Sequence, residues 1–152
     1  MAKPAFRYWY EWRCDNPLWA DNDEARDFLG DSAQGDLEAL GFSKELIDEI
    51  RKTGEWHDSY LNWESPIDPG PWRQNECDRF NKKAREIYER IVQEANGRFD
   101  VIYDEAEHRE DPDLDEYLKD PDHFRRKDDP REPASNPPKT GWLGALRNFF
   151  GF

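Results

Sequence analysis

The chain has 152 residues, with 22 Lys and Arg against 35 Asp and Glu and a formal net charge of -13. Such a charge argues against direct contact with phosphate backbones or anionic membranes. Aromatic residues at 14% argue against a wholly disordered acidic chain, because such chains lack large apolar side chains.

Roughly 100 to 200 residues per domain allows a single domain with a tail. No apolar run approaches the roughly 20 residues of a membrane span. Met1 to Arg13 alternates aromatic and charged residues and lacks an apolar signal-peptide core, so the expected location is the cytoplasm.

The first predicted element is a strand from Phe6 to Cys14, FRYWYEWRC. Phe6, Tyr8, Tyr10, Trp12 and Cys14 share one face, while Arg7, Trp9, Glu11 and Arg13 share the other. Asn16-Pro17 breaks it. Asp21 to Gly30 reads as a short helix capped by Asp21 or Asn22, with Ala25, Phe28 and Leu29 as its apolar stripe. A loop to Gly41 follows, with Leu37 and Leu40 tucked under the body. Ser43 caps the next helix, whose face carries Leu46, Ile47, Ile50, His57 and Leu61, and Gly54 is placed to bend or interrupt it.

Asn62 to Trp72, NWESPIDPGPW, reads as a structured loop pinned by Trp63 and Trp72. Arg73 to Asn96 is the strongest helix, with Cys77, Phe80, Ala84, Ile87, Ile91 and Ala95 at three- and four-residue steps. Phe99 to Tyr103 is a second strand. The order predicts an α+β fold: a small two-stranded antiparallel sheet with three helices. Asp113 to Leu118 adds a short helix, with Leu114, Tyr117, Leu118 and Phe124 as docking points.

Polarity changes toward the end of the chain. Residues 1–122 hold 32 acidic and 16 basic residues, a net of -16, whereas residues 123–152 hold three acidic and six basic, a net of +3. The expected boundaries are an acidic domain over 1–125, a Pro-rich linker over 126–141 and a hydrophobic peptide over 142–152. On a helix, Trp142, Leu143, Leu146, Phe149 and Phe150 gather on one side. Three fates are open for this peptide: docking on its own body, docking in a partner's groove, or lying on a membrane surface. With a single charge in the last eleven residues, stable membrane anchoring is the least favoured of these.

Metal chemistry has little support in the spacing. His57, His108 and His123 lie far from one another, and none has the close His or Cys neighbour that announces a zinc site. Asp58 beside His57 and Glu105 near His108 read as chance placement in an acid-rich chain. Cys14 and Cys77 lie on predicted core faces, where a thiol is inert, and read as two buried thiols. DPDLDE, within the acidic run Asp111, Asp113, Asp115 and Glu116, lacks the glycine turn and terminal Glu of a calcium loop. No nucleophile motif, phosphate loop or H-E-x-x-H appears. No metal, cofactor or enzyme activity is expected. The candidate partner-binding residues are Trp9 with Arg7 and Arg13, the acidic run from Asp111 to Glu116, and the five apolar residues of the terminal peptide.

CDNPLWADNDEARDFLG, LNWESPIDPGPW and the helix ending before FDVIY resemble a group of small acidic actinobacterial proteins of the toxin-immunity type. The resemblance covers about residues 5 to 125 and implies a protein that binds another protein. The terminal Leu143-x-x-Leu146-x-x-Phe149-Phe150 resembles a sliding-clamp-binding box, with Leu143 where that box has Gln. It also resembles the docking peptides of cargo for bacterial protein shells. The leading expectation is a non-enzymatic immunity protein whose acidic face covers the basic cleft of a toxin. The alternative is an adaptor or cargo protein recruited through residues 142–152.

Overall fold

The computed structural model describes residues 2–29 and 36–127. The predicted linker from 128 onward and the peptide 142–152, with Trp142, Leu143, Leu146, Phe149 and Phe150, lie outside the described residues. The described residues are α+β and fall into two compact units. The first comprises residues up to 58 together with 75–109; the second comprises 59–74 and residues from 110 onward.

The first unit is built on a sheet of three strands, β1 (Ala5–Tyr8), β2 (Leu18–Ala20) and β3 (Asp100–Tyr103), in the order β2-β1-β3. This corrects the predicted two-stranded antiparallel sheet. The two predicted strands do pair, but in parallel, with Phe6 opposite Val101 and Tyr8 opposite Tyr103. A parallel pair needs a long crossover, and the helices between them supply it. The antiparallel partner of β1 is the overlooked β2, with Phe6 opposite Ala20 and Tyr8 opposite Leu18. Its three residues are too few to show a period of two.

β1 is also shorter than predicted. Beyond Tyr8 the chain turns, with Cys14 N–H donating to the Glu11 carbonyl at 3.2 Å and Arg13 at φ 59. Tyr10 and Trp12 nevertheless stay buried, so the alternation persists without the strand.

Helix α1 (Asp23–Leu29) is capped by Asn22, whose Oδ1 accepts from the N–H groups of Ala25 (2.9 Å) and Ala5 (3.0 Å). Helix α2 (Lys44–Asp58) is capped as predicted by Ser43, whose Oγ accepts from Leu46 N–H at 3.2 Å. Gly54 does not interrupt it. The helix runs through Gly54, where it packs close to the backbone of Cys14 and Asp15. Helix α3 (Gln74–Ala95) buries all six predicted residues. It ends at Asn96 and Gly97, with φ of 49 and 80, the left-handed geometry expected of a helix stop.

Three contacts fix α2 and α3 side by side and antiparallel. Ser43 donates through its N–H and Oγ to Glu94 at 2.7 and 2.9 Å, Lys83 reaches Glu49 at 2.6 Å, and Trp56 Nε1 donates to Glu76 at 3.1 Å. The sheet lays its inner face on α3: Phe6 and Tyr8 are fully buried, and the Tyr8 hydroxyl donates to the Ala84 carbonyl at 2.7 Å. Leu37 and Leu40 are buried as expected. Cys77 is buried, Cys14 only half-buried, and the two are thiols rather than a disulfide.

In the second unit, Asn62 organises the predicted loop. Its Oδ1 accepts from the N–H groups of Glu64 and Ser65 at 3.2 and 3.1 Å, and its Nδ2 donates to the Pro69 carbonyl and the Tyr117 hydroxyl. Trp72 is the predicted anchor, buried, with Nε1 donating to Ser59 at 2.9 Å. Trp63 is more open than Trp72, at 37% exposed. Helix α4 (Leu114–Lys119) buries Leu114, while Leu118 faces solvent. Tyr117 and Phe124 meet edge to face at 5.5 Å.

At Gly70 the loop leaves no room for a side chain. A Cβ there would stand 1.9 Å from the Tyr60 carbonyl oxygen, and backbone cannot swing aside as a side chain would. Gly70→Ala is expected to lower stability by roughly 1–3 kcal/mol, the usual penalty of overpacking. The midpoint of urea unfolding reads this directly, and an unchanged midpoint would rule out the close approach.

Candidate functional site

The outer face of the sheet carries the residues left over once Phe6 and Tyr8 turn inward. Arg7 is its centre, opposite Trp19 on β2 and Ile102 on β3. Arg7 Nε donates to Asp21 at 2.7 Å and Nη1 to Asp104 at 3.5 Å, so two carboxylates flank the guanidinium. Trp9 follows two residues later and stacks on Trp19, with ring centroids 4.8 Å apart. Trp19 Nε1 donates to the Trp9 carbonyl at 3.0 Å, which holds the pair together. Ile102 remains 39% exposed beside them. The face therefore presents an indole stack, an aliphatic side chain and a guanidinium ringed by acids, the composition that anchors protein interfaces.

The predicted surface residues divide between the two units. Arg7, Trp9 and Arg13 belong to the first. Arg13 is exposed, and its N–H donates to Asp58 at 2.8 Å. The acidic run belongs to the second and is partly neutralised from within. Arg126 donates to both Asp111 oxygens at 3.0 and 2.5 Å and to Asp113 at 2.9 Å, leaving the Asp111 side chain only 12% exposed. Asp115 pairs with Arg73 and Glu116 with Lys119, each at 2.8 Å, but both acids stay open to solvent.

Sequence reading missed a second constellation. His57, Glu105 and His108 converge, each offering one ligand atom within 4.8 Å of the others. His57 ends α2, whereas Glu105 and His108 lie just beyond β3; the crossover through α3 brings them together. The chance placement expected for Glu105 beside His108 is therefore corrected: His108 Nε2 stands 3.3 Å from Glu105 Oε1. The i,i+3 spacing of those two was visible, but 51 positions separate His57 from His108, and no spacing rule spans such a gap.

The cluster is tightly framed. Glu105 Oε2 accepts from Tyr10 N–H at 2.6 Å. The Asn81 amide clamps the main chain of His108, donating to its carbonyl at 2.9 Å and accepting its N–H at 2.8 Å. Trp12 stacks on His57 with centroids 4.2 Å apart, and Phe80 stands 4.8 Å from His108. Burial sets the ionisation. It pulls His57 down to about 3, aided by His108, and His108 down to about 4. It pushes Glu105 up to about 8, against the Tyr10 N–H that favours the carboxylate. His57 Nδ1 is buried without a hydrogen-bond partner among the described residues.

Residues 5–106 match the family described as Serratia CdiI immunity protein-like. The chain belongs to this family. Membership supports an immunity role in general, in agreement with the resemblance seen in the sequence. Both faces of the site fall largely within the matched span: Arg7, Trp9, Arg13, Trp19, His57 and Glu105 lie inside it, and His108 stands just beyond it. No curated protein matches the chain. Among the described residues of this immunity-family protein, no helix is long and apolar enough to cross a membrane.

Proposed function

We propose that this protein neutralises a toxin in the cytoplasm by seating the outer face of its sheet on it, without catalysis. The Trp9–Trp19 stack is the observation that carries the reading, since a chain of immunity type offers there an indole pair next to a carboxylate-flanked arginine. Residues 1–58 and 75–109 hold 23 acidic and 14 basic residues, a net of -9, which suits a basic partner such as the cleft of a nuclease. Complementary charge speeds encounter, and the desolvated indoles then hold the complex. Asp115 and Glu116 offer a further acidic patch on the second unit.

The experiment screens the products of the neighbouring genes for toxicity, and for a toxic one reads growth protection on co-expression and Kd by titration. Replacing Trp9 and Trp19 together by Ala is expected to weaken binding about 30-fold or more, the effect of losing a 2 kcal/mol hot spot. Raised salt is expected to slow association. Deleting residues 140–152 is expected to leave protection intact. If that deletion abolishes binding while the double Trp variant keeps it, the adaptor reading through Trp142, Leu143, Leu146, Phe149 and Phe150 replaces this one.

A further inference from the structure

We infer that His57, Glu105 and His108 form a buried binding site for a divalent transition metal, zinc by preference, that locks the turn after β1 onto the end of α2. Two imidazoles and one carboxylate are a donor set suited to zinc, and three protein donors leave one position for water. The donor atoms lie within 4.8 Å of one another. Tetrahedral bonds of about 2.1 Å put donors roughly 3.4 Å apart, which His108 Nε2 and Glu105 Oε1 already satisfy at 3.3 Å. The His57 donor lies within 4.8 Å of these two and completes the set.

Three further features support a metal over a plain core packing. His57 is 1% exposed, and its Nδ1 has no hydrogen-bond partner among the described residues, an unfavourable state unless something else takes that atom. The supporting shell is in place: Tyr10 N–H holds one Glu105 oxygen and leaves the other turned to His108, and Asn81 fixes the His108 backbone. A divalent cation would also let buried Glu105 stay ionised beside two neutral imidazoles, leaving one net positive charge that lowers the pKa of a bound water. Trp12, stacked on His57, and Tyr10, bonded to Glu105, tie the turn after β1 to this centre. The site stands whether or not the outer sheet face binds a toxin.

The test is titration of chelator-stripped full chain with zinc chloride, followed by calorimetry and thermal melting. One equivalent is expected to bind with a raised Tm, and cobalt in place of zinc is expected to show visible absorption of a low-coordinate centre. Glu105→Gln keeps the acceptor for Tyr10 N–H but removes the charge, and is expected to weaken zinc binding at least about tenfold. His123→Ala removes the exposed histidine paired with Asp120 and is expected to bind zinc as the unaltered chain does. Imidazole nitrogen shifts by NMR on the unaltered chain decide the matter even if Glu105→Gln fails to fold: zinc must move His57 and His108. Absence of binding, binding that shifts only His123, or equal affinity in folded Glu105→Gln overturns the site.

Discussion

Phe80→Ala is expected to lower stability by about 3–5 kcal/mol, the cost of deleting a buried aromatic ring. Phe80 is fully buried in the second turn of α3, and its ring sits where four aromatic groups meet. Trp56 is 5.3 Å away edge to face, His108 4.8 Å, His57 5.7 Å and Tyr10 6.0 Å. These neighbours come from α2, from the turn after β1 and from the segment beyond β3, so no single element can move to fill the space. The cavity would also border two imidazoles, which invites water to their ring nitrogens. Phe80→Leu keeps much of the volume and is expected to cost less than about 1.5 kcal/mol. Urea unfolding followed by circular dichroism measures both. A loss below 1 kcal/mol for the alanine variant would mean that the ring is not the keystone of this cluster.

What the sequence made legible follows from which signals are local. Helical periodicity located α3 to within a residue or so and named its six buried residues, because each apolar position is read against neighbours three and four away. Capping chemistry located the starts of α1 and α2, since Asn22 and Ser43 act within their own first turn. Pairing direction was not legible. β1 and β3 are separated by nearly the whole first unit, and their parallel register depends on where the helices return the chain. The Trp9–Trp19 stack was half visible: Trp9 stands out by its place on the charged face, whereas Trp19 lies on β2, a strand too short to show a period. The acidic run was legible only in part. Its density was plain, but Arg126 lies 13 and 15 positions from the aspartates it bridges, and only the fold shows that it stands between them.

The metal-free protein, held in chelator, is expected to be most stable near pH 6.5 and to lose stability on both sides. On the acid side, unfolded His57 and His108 gain protons near 6.5, while the native side chains resist until about 3 and about 4. The unfolded chain then binds two protons that the native one does not. Glu105 acts in the opposite sense: natively it keeps its proton up to about 8, whereas the unfolded carboxyl gives it up near 4.5. Between pH 4.5 and 6.5 the balance is one extra proton on the unfolded chain, so stability falls by about 1.4 kcal/mol for each unit of acidification. Above pH 6.5 the histidines no longer contribute. Glu105 alone then makes stability fall by about 2 kcal/mol up to pH 8, as its buried carboxyl is forced to ionise. Tyr8 and Tyr10 are pushed up by burial and stay neutral throughout this range. The neighbouring Asp104 raises Glu105 further in the same direction. Glu105→Gln separates the cluster from the background of surface charge: it should flatten the alkaline limb and leave the acid limb in place, steeper by the proton Glu105 no longer holds. Denaturant titrations of both proteins from pH 5 to 8 provide the comparison. Parallel curves above pH 6.5 would show that Glu105 is already ionised at neutral pH. In that case its burial must be less complete than its 4% exposed side chain indicates.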